Sequence, residues 1–285
     1  MIKNLNYFFQ SIIIYVFFII GRLIGLTAAR KVFSNLFLKI GPKFKSNKVI
    51  EKNLKIFNKN LSQRDKEKIQ YNMWKNYGMT FIEYIFLGFF RNQNKHITIK
   101  GEDNLKTIIG EQKQVIFVSG HFANYELMSM EITKRRINLA TIYRPLNNIF
   151  LNPLMEYLRR KHVCKNQIKK GLNGVRDAID YLKKDFSVAL MIDQRVTEGE
   201  KINFFGEPAF TTTLPAQLSI KYNLPIIPVS IKRIDDIKFV LTFHDQIKAT
   251  DFNNKISLSK KLNEVLENMI KENPDQWIWT HNRWK

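Results

Sequence analysis

One segment near the N-terminus restricts where this chain can fold, because residues 7–26 (YFFQSIIIYVFFIIGRLIGL) are almost entirely apolar. The polar side chains within it are Gln10, Ser11 and Arg22. About 20 predominantly apolar residues suffice for a helix to cross a bilayer, and an arginine near one end can extend its charge to the polar interface. The segment therefore predicts a membrane anchor that either spans the bilayer or lies in its interface.

The charges on the two sides of this segment are unequal. Lys3 alone precedes it, whereas its end and the next residues carry Arg22, Arg30, Lys31 and Lys39. Loops rich in Lys and Arg stay on the cytoplasmic side of a membrane, so we expect the remainder of the chain there. A cleaved signal peptide is the alternative. It fits less well, because the leader holds a single lysine and residues 27–30 (TAAR) are the nearest, weak match to a cleavage site.

The composition describes a folded, strongly basic protein. Its 285 residues are 45% hydrophobic and 13% aromatic, which excludes a disordered chain. Cys164 is the one cysteine, so an internal disulfide is excluded and we expect a buried thiol in a reducing compartment. The net charge of +21 indicates an anionic partner: nucleic acid, a membrane surface, an acidic protein or a phosphorylated substrate. AT-rich coding DNA is an alternative source of part of this charge.

The hydropathy pattern changes from helical to α/β near residue 96. Residues 62–90 carry apolar side chains at helical spacing and end in FIEYIFLGFF, which predicts a core helix or, alternatively, a second membrane contact or part of an acyl-chain tunnel. We therefore divide the chain into a membrane anchor (1–28), a helical membrane-proximal region (29–95) and an α/β domain (96–285).

Within the α/β domain, short apolar runs alternate with helical patterns. Runs such as SVALMID (187–193) are typical of strands covered on both faces. We expect strands at 97–100, 115–119, 138–143, 187–192, 225–232 and 238–247, and helices at 124–136, 151–162, 172–184, 213–222 and 257–272. Residues 194–213 are expected to form one long irregular loop. The predicted fold is a mixed, mostly buried central sheet flanked by helices.

The stretch VIFVSGHFANYELMSM (115–130) places polar side chains at the end of a predicted buried strand. Ligands of open α/β sheets gather at such ends. There His121 can act as a general base toward a hydroxyl while Glu126 holds its second ring nitrogen. The alternatives are an incidental turn histidine and a glutamate that caps the next helix. No Cys or His pair has the spacing of metal ligands.

Five ordered blocks between residues 100 and 285 resemble the bacterial lipid A biosynthesis (lauroyl/myristoyl) late acyltransferase family of the glycerolipid acyltransferase-like superfamily. That superfamily has a histidine followed, after four residues, by Asp or Glu. The first block departs from the family's pattern at Phe122, Ala123 and Tyr125. The blocks are SGHFANYE (119–126), YRPLNNIFLNPLMEYLRRK (143–161), ALMIDQ (189–194), FFGEPAFTTTLPAQLSIKYNLPIIPV (204–229) and NPDQWIWTHNRWK (273–285).

The resemblance implies roles for individual residues. His121 would be the general base and Glu126 would orient it, while Arg144, Arg159 and Asp193 would bind substrate. Arg160 leaves the position of the site arginine uncertain by one residue. Arg144 can instead form a structural ion pair, and Asp193 can instead cap a turn.

The resemblance also implies substrates and a location. The donor would be acyl–acyl carrier protein, and the acceptor a hydroxyl of a phosphorylated glycolipid precursor of lipid A. No metal or cofactor is expected, because a thioester is already activated. The protein would sit at the bacterial inner membrane among anionic lipids, with its catalytic domain on the cytoplasmic face.

Two other functions stay open. One is an acyltransferase of the same superfamily that acts on another glycolipid or on a glycerolipid. The other, from a different class, is a membrane-tethered basic binding protein. We expect no nucleic-acid partner, because the sequence contains no recognisable nucleic-acid-binding motif.

Overall fold

The computed structural model describes residues 2–44, 47–110 and 113–285. The helices in these ranges are α1 (Ile2–Phe44), α2 (Asn47–Phe57), α3 (Gln63–Glu83), α4 (Leu87–Asn92), α5 (Asp103–Gly110), α6 (Glu126–Lys134), α7 (Asn152–Leu158), α8 (Leu172–Leu182), α9 (Leu214–Tyr222) and α10 (Lys255–Glu272). The strands are β1 (Ile97–Lys100), β2 (Ile116–Ser119), β3 (Leu139–Tyr143), β4 (Asn166–Lys169), β5 (Ser187–Met191), β6 (Glu200–Phe204), β7 (Glu207–Thr211), β8 (Ile226–Ile234) and β9 (Lys238–Phe243).

The predicted central sheet is present and mixed. Among the described residues it has seven strands in the order β1-β9-β8-β2-β5-β3-β4. Neighbours are parallel except β8 and β9, which are antiparallel. All four residues of β2 are buried, as expected for a central strand with both faces covered. The predicted fold class, an α/β domain with a mixed sheet flanked by helices and a long apolar N-terminal helix, is therefore confirmed.

Helix α1 is divided by Gly25, whose φ of 79° and ψ of 163° interrupt the helical backbone. Such a φ is readily adopted only by glycine. Before Gly25 most side chains are exposed and apolar. Both parts of α1 nevertheless contact α3, since Phe18 and Phe33 pack against Phe81. Gly78 of α3 lies so close to the carbonyl of Phe33 that no side chain would fit there. By length and composition, α1 is the one helix in the described ranges that qualifies as a membrane span.

The aromatic end of the predicted helix 62–90 is mostly buried, as expected for a core helix; the buried side chains are Ile82, Tyr84, Phe86, Leu87 and Phe90, while Phe89 is 46% exposed. Cys164 is buried as predicted. The division at residues 28 and 95 stays a prediction.

The prediction of one irregular loop at 194–213 is wrong. Strands β6 and β7 form an antiparallel hairpin in which Phe204 pairs with Glu207. The two residues of its turn, Phe205 and Gly206, have positive φ values of 53° and 76°. Positive φ at both turn positions matches the right-handed twist of the strands. A phenylalanine is a poor turn signal, which concealed the hairpin in the sequence.

Candidate active site

The strand register of the sheet brings His121 and Asp193 together. Strands β2 and β5 are parallel neighbours, and Ser119 is the partner of Met191. His121 and Asp193 each follow these paired residues by two positions. Both therefore lie just beyond the carboxyl ends of the two strands, on the same side of the sheet. Gly120 leaves room for this approach, since a Cβ there would lie 3.3 Å from Oδ2 of Asp193.

Asp193 binds His121 through both of its carboxylate oxygens. Oδ1 lies 2.7 Å from Nδ1 of His121, and Oδ2 accepts the backbone N–H of His121 at 2.7 Å. The indole N–H of Trp277 donates to the same Oδ2 at 2.9 Å. Asp193 is fully buried. Burial raises its pKa, but the charge and hydrogen bonds of His121 outweigh burial and hold the pKa below its usual value. An ionised Asp193 thus places a proton on Nδ1 and leaves Nε2 as an acceptor.

The turn after β2 is held by bonds from two other parts of the chain, helix α3 and the segment that follows α10. Ala123 has a φ of 41°, which is uncommon for a residue with a side chain. Its N–H donates to the carbonyl of Gln276 at 3.1 Å, and its carbonyl accepts from the Thr80 hydroxyl at 3.0 Å. The Asn124 side chain donates to Oε2 of Glu83 at 2.8 Å. These contacts fix the backbone that carries His121.

Glu83 is the centre of a fully buried ion cluster behind this turn. Arg30 of α1 donates to Oε1 at 2.6 Å. Arg233 of β8 binds both carboxylate oxygens, and its Nη2 is 3.0 Å from Oε2. Arg233 also donates to Thr80 at 3.1 Å. One carboxylate therefore joins helix α1, the sheet and the His121 turn.

Glu126 does not bind His121, which corrects our expectation that it would orient the imidazole. Its Oε1 accepts from the Tyr84 hydroxyl at 2.6 Å and from Nε of Arg159 at 2.8 Å. A second Arg159 nitrogen, Nη2, lies 2.6 Å from the same oxygen. The reason is positional: Glu126 begins α6 and faces the π-helical turn that starts at Arg159, while Asp193 already occupies Nδ1 of His121.

Arg159 is held so that one of its donors stays free of protein partners. The guanidinium lies 5.7 Å from the ring centres of Tyr84 and Tyr143. Burial lowers the pKa of Arg159, but the charge of Glu126 outweighs it and the net direction is upward. Its Nη1 is buried without a hydrogen-bond partner in the described residues. A buried unsatisfied donor is costly, so Nη1 is a candidate for contact with a bound anion.

A pocket of about 530 Å³ lies at this edge of the sheet. Four of the five predicted site residues line it: His121, Glu126, Arg144 and Arg159. Asp193 is buried behind His121 and is not part of the lining. Its position therefore suits orienting His121, and the prediction that it binds substrate directly does not fit this geometry.

The pocket also contains residues that the sequence analysis did not select. Lys170 lines it, and partial burial together with the positive charge of Arg144 lowers the pKa of Lys170. Two cations in the lining of one pocket favour an anionic ligand there. His281 lines the pocket and accepts the backbone N–H of Arg195 at Nε2, 2.9 Å away. Burial lowers the pKa of His281 to about 4, so its ring is neutral.

The C-terminal block WIWTHNRWK (277–285) contains two of these contact residues, Trp277 and His281. Its three tryptophans, Trp277, Trp279 and Trp284, are all buried. Trp277 in addition donates to Asp193. An indole N–H needs a partner when it is buried, but the sequence does not show which acceptor it finds.

Comparison with known proteins shows the family of this chain. The family described as bacterial lipid A biosynthesis acyltransferase matches residues 2–285. The chain belongs to this family. The resemblance read from the five sequence blocks is therefore confirmed, and the protein is an acyltransferase of the lipid A biosynthesis family.

The sequence identity to individual relatives is low. The lipid A biosynthesis palmitoleoyltransferase of Escherichia coli (strain K12) is 27% identical over 248 residues, which cover 83% of this chain and 78% of that protein. The lipid A biosynthesis lauroyltransferase of the same organism is 21% identical, with coverages of 84% and 78%. The solved 1-acyl-sn-glycerophosphate acyltransferase of Thermotoga maritima has a TM-score of 0.44 and 15% identity, over 89% of this chain and all of that one.

Proposed function

We propose that this acyltransferase moves a fatty acyl chain from acyl–acyl carrier protein to a hydroxyl of a phosphorylated lipid A precursor, with His121 as general base. The observation that carries the proposal is the hydrogen bond between Nδ1 of His121 and Oδ1 of buried Asp193, which is 2.7 Å long. His121 also lines the pocket. This arrangement leaves Nε2 as an acceptor toward a substrate hydroxyl.

The proposed reaction uses His121 twice. Nε2 takes the proton of the acceptor hydroxyl as its oxygen attacks the thioester carbonyl, and a tetrahedral oxyanion forms. The carbon–sulfur bond then breaks, the carbonyl is restored as an ester, and the proton on Nε2 passes to the departing thiolate. Asp193 stays ionised throughout and stabilises the imidazolium. General-base help of this kind contributes about 10²–10⁴-fold. No cofactor is needed, since the thioester is already activated.

Cationic groups of the pocket would bind the negative charges of the reaction. The free Nη1 of Arg159 is a donor for the oxyanion or for a substrate phosphate. Arg144 and Lys170, which both line the pocket, suit a phosphate of the acceptor. The neutral ring of His281, which accepts at Nε2 from Arg195, carries its proton on Nδ1 and adds a further donor.

The membrane part of the proposal concerns residues 2–24 of α1. We place them in the inner membrane with the catalytic domain on the cytoplasmic face. The support is the exposed apolar surface of this segment, which comprises Ile2, Leu5, Phe8, Phe9, Ile12, Ile13, Val16, Ile19, Ile20, Leu23 and Ile24. The positive charges that follow the segment support the orientation.

The experiment that tests this function is an acyl-transfer assay. The purified full-length protein is incubated with acyl–acyl carrier protein and a lipid A precursor, and the products are analysed by mass spectrometry. We expect one acyl chain to be added to the precursor. The net charge of +21 also predicts that added salt raises KM for the acidic carrier protein more than KM for a neutral thioester donor. Acylation of a lysoglycerolipid but not of the precursor would instead identify a glycerolipid enzyme.

The proposed base predicts how the rate depends on pH. Protonation of His121 removes the lone pair on Nε2, so activity should fall as the pH is lowered, with a limiting slope of one in a plot of log rate against pH. Initial rates at saturating substrates, measured with folding monitored at each pH, check this expectation. A rate that stays constant on acidification of the folded enzyme contradicts a histidine base.

A further inference from the structure

A loop at the rim of the pocket is attached to the membrane segment of α1. This rim loop, residues 148–151, directly follows the pocket-lining residues 144–147. The hydroxyl of Tyr15 donates to the carbonyl of Phe150 at 2.7 Å. The ring of Phe8 packs edge-on against that of Phe150, with centres 5.5 Å apart. This short loop therefore connects the lining of the pocket with the apolar helix.

The polar side chain of this loop is saturated by internal bonds. Asn148 is 9% exposed, and its amide N–H donates to the carbonyl of Tyr7 at 2.8 Å. Its Oδ1 accepts from the hydroxyl of Ser11 at 2.9 Å. The same oxygen accepts from the backbone N–H groups of Phe150 and Leu151 at 3.0 and 3.2 Å. At membrane depth water cannot satisfy such groups, and each needs a partner in the protein.

The side chains that this loop directs outward are large and apolar. Ile149 is 56% exposed and Phe150 is 38% exposed. Phe8, which contacts Phe150, is 45% exposed and belongs to the exposed apolar surface of residues 2–24. The two surfaces are therefore continuous, and whatever solvates residues 2–24 also reaches the rim loop.

We propose that Ile149 and Phe150 insert into the bilayer next to α1, so that the pocket opens toward the lipid phase and the acceptor enters it laterally. The inference rests on the proposed function, which supplies a lipid acceptor and a membrane segment. Lateral entry lets the acyl chains of the acceptor stay in the membrane while its polar head reaches Arg144 and His121. Exposing those chains to water would be unfavourable in proportion to their apolar area.

The test places a fluorophore at the rim loop of the full-length protein. Phe150→Trp and Ile149→Trp variants are bound to phosphatidylethanolamine and phosphatidylglycerol vesicles with or without brominated acyl chains, which quench indole fluorescence on contact. The four native tryptophans are buried, and the unsubstituted protein supplies their baseline. Ile220→Trp is the matched control, because Ile220 is 41% exposed on α9, which packs against α10 and β2.

We expect brominated lipid to remove most of the additional emission of the two rim-loop variants and little of that of the control. If brominated lipid quenches none of the three variants while the protein still floats with the vesicles, the proposal is overturned, and a protein partner would cover this surface. Failure of the unsubstituted protein to float with the vesicles would overturn the proposal as well. Quenching requires no turnover, so this result and that of the acyl-transfer assay are independent.

Discussion

The His121→Ala enzyme is expected to lose about 10²–10⁴-fold in the rate of acyl transfer, the contribution of a general base. Pocket contacts that position the substrates remain, so activity should not fall to the uncatalysed level. The measurement is the initial rate with a thermal melt as the check on folding. A folded variant with a rate near that of the wild type would remove His121 from the mechanism.

The Asp193→Asn enzyme is expected to lose nearly as much of its acyl-transfer rate as His121→Ala. This result would distinguish Asp193, observed on His121, from Glu126, the partner expected from sequence. Oδ2 of Asp193 accepts two N–H groups, from the His121 backbone and from Trp277. An asparagine that keeps its oxygen there turns its NH₂ toward Nδ1, and the ring proton must then move to Nε2. This tautomer cannot act as a base. The His121→Ala, Asp193→Asn double variant should be no slower than His121→Ala alone.

Glu126→Gln is the matched comparison for this prediction. It leaves the bond between His121 and Asp193 intact and removes the charge that faces Arg159. We therefore expect it to retain the pH dependence of the wild type, with a smaller loss of rate. The opposite ranking, a severe loss for Glu126→Gln and little for Asp193→Asn, would restore Glu126 as the orienting residue.

The largest effect on stability is expected for Glu83→Gln. The substitution keeps the shape of the side chain but leaves Arg30 and Arg233 buried without their counter-charge. Removing one partner from a buried ion pair typically destabilises by about 3–5 kcal/mol. Thermal or denaturant unfolding in detergent measures this loss. Because Asn124 and Thr80 connect the cluster to the His121 turn, the variant should also lose activity at temperatures where it is still folded.

An exposed ion pair supplies the control. Glu264 lies 4.0 Å from Lys261 with both side chains about half exposed, so Glu264→Gln should change stability by at most about 1 kcal/mol. Equal melting temperatures of the Glu83→Gln and Glu264→Gln variants would contradict a stabilising role of the buried ion cluster.

The same cluster predicts a loss of stability in acid. Burial raises the pKa of Glu83, but the charges of Arg233 and Arg30 outweigh it, and the pKa lies below its usual value. A carboxylate with a lowered folded pKa contributes stability above the pKa of the unfolded chain, about 4.3, and this contribution disappears as the pH falls further. Glu83→Gln should lack this part of the acid dependence.

Much of the architecture was predictable from the pattern of side chains. The six expected strands and five expected helices of the α/β domain are present at nearly the expected positions, because buried strands and amphipathic helices have characteristic apolar periods. Strand β4 (Asn166–Lys169) was missed: it lies at the sheet edge and reads NQIK, with one buried residue. An edge strand needs little apolar sequence, so composition does not reveal it.

The sequence by itself determined the apolar N-terminal segment, the order of the five motif blocks along the chain and the place of His121 at the end of a strand. It did not determine which carboxylate reaches His121. Glu126 is near in sequence, yet Asp193, which lies 72 positions away, makes the contact. The apolar period of a strand indicates that the strand is buried. It does not indicate which strand lies beside it or in which register the two pair. Only the parallel pairing of Ser119 with Met191 places these two side chains at one edge of the sheet.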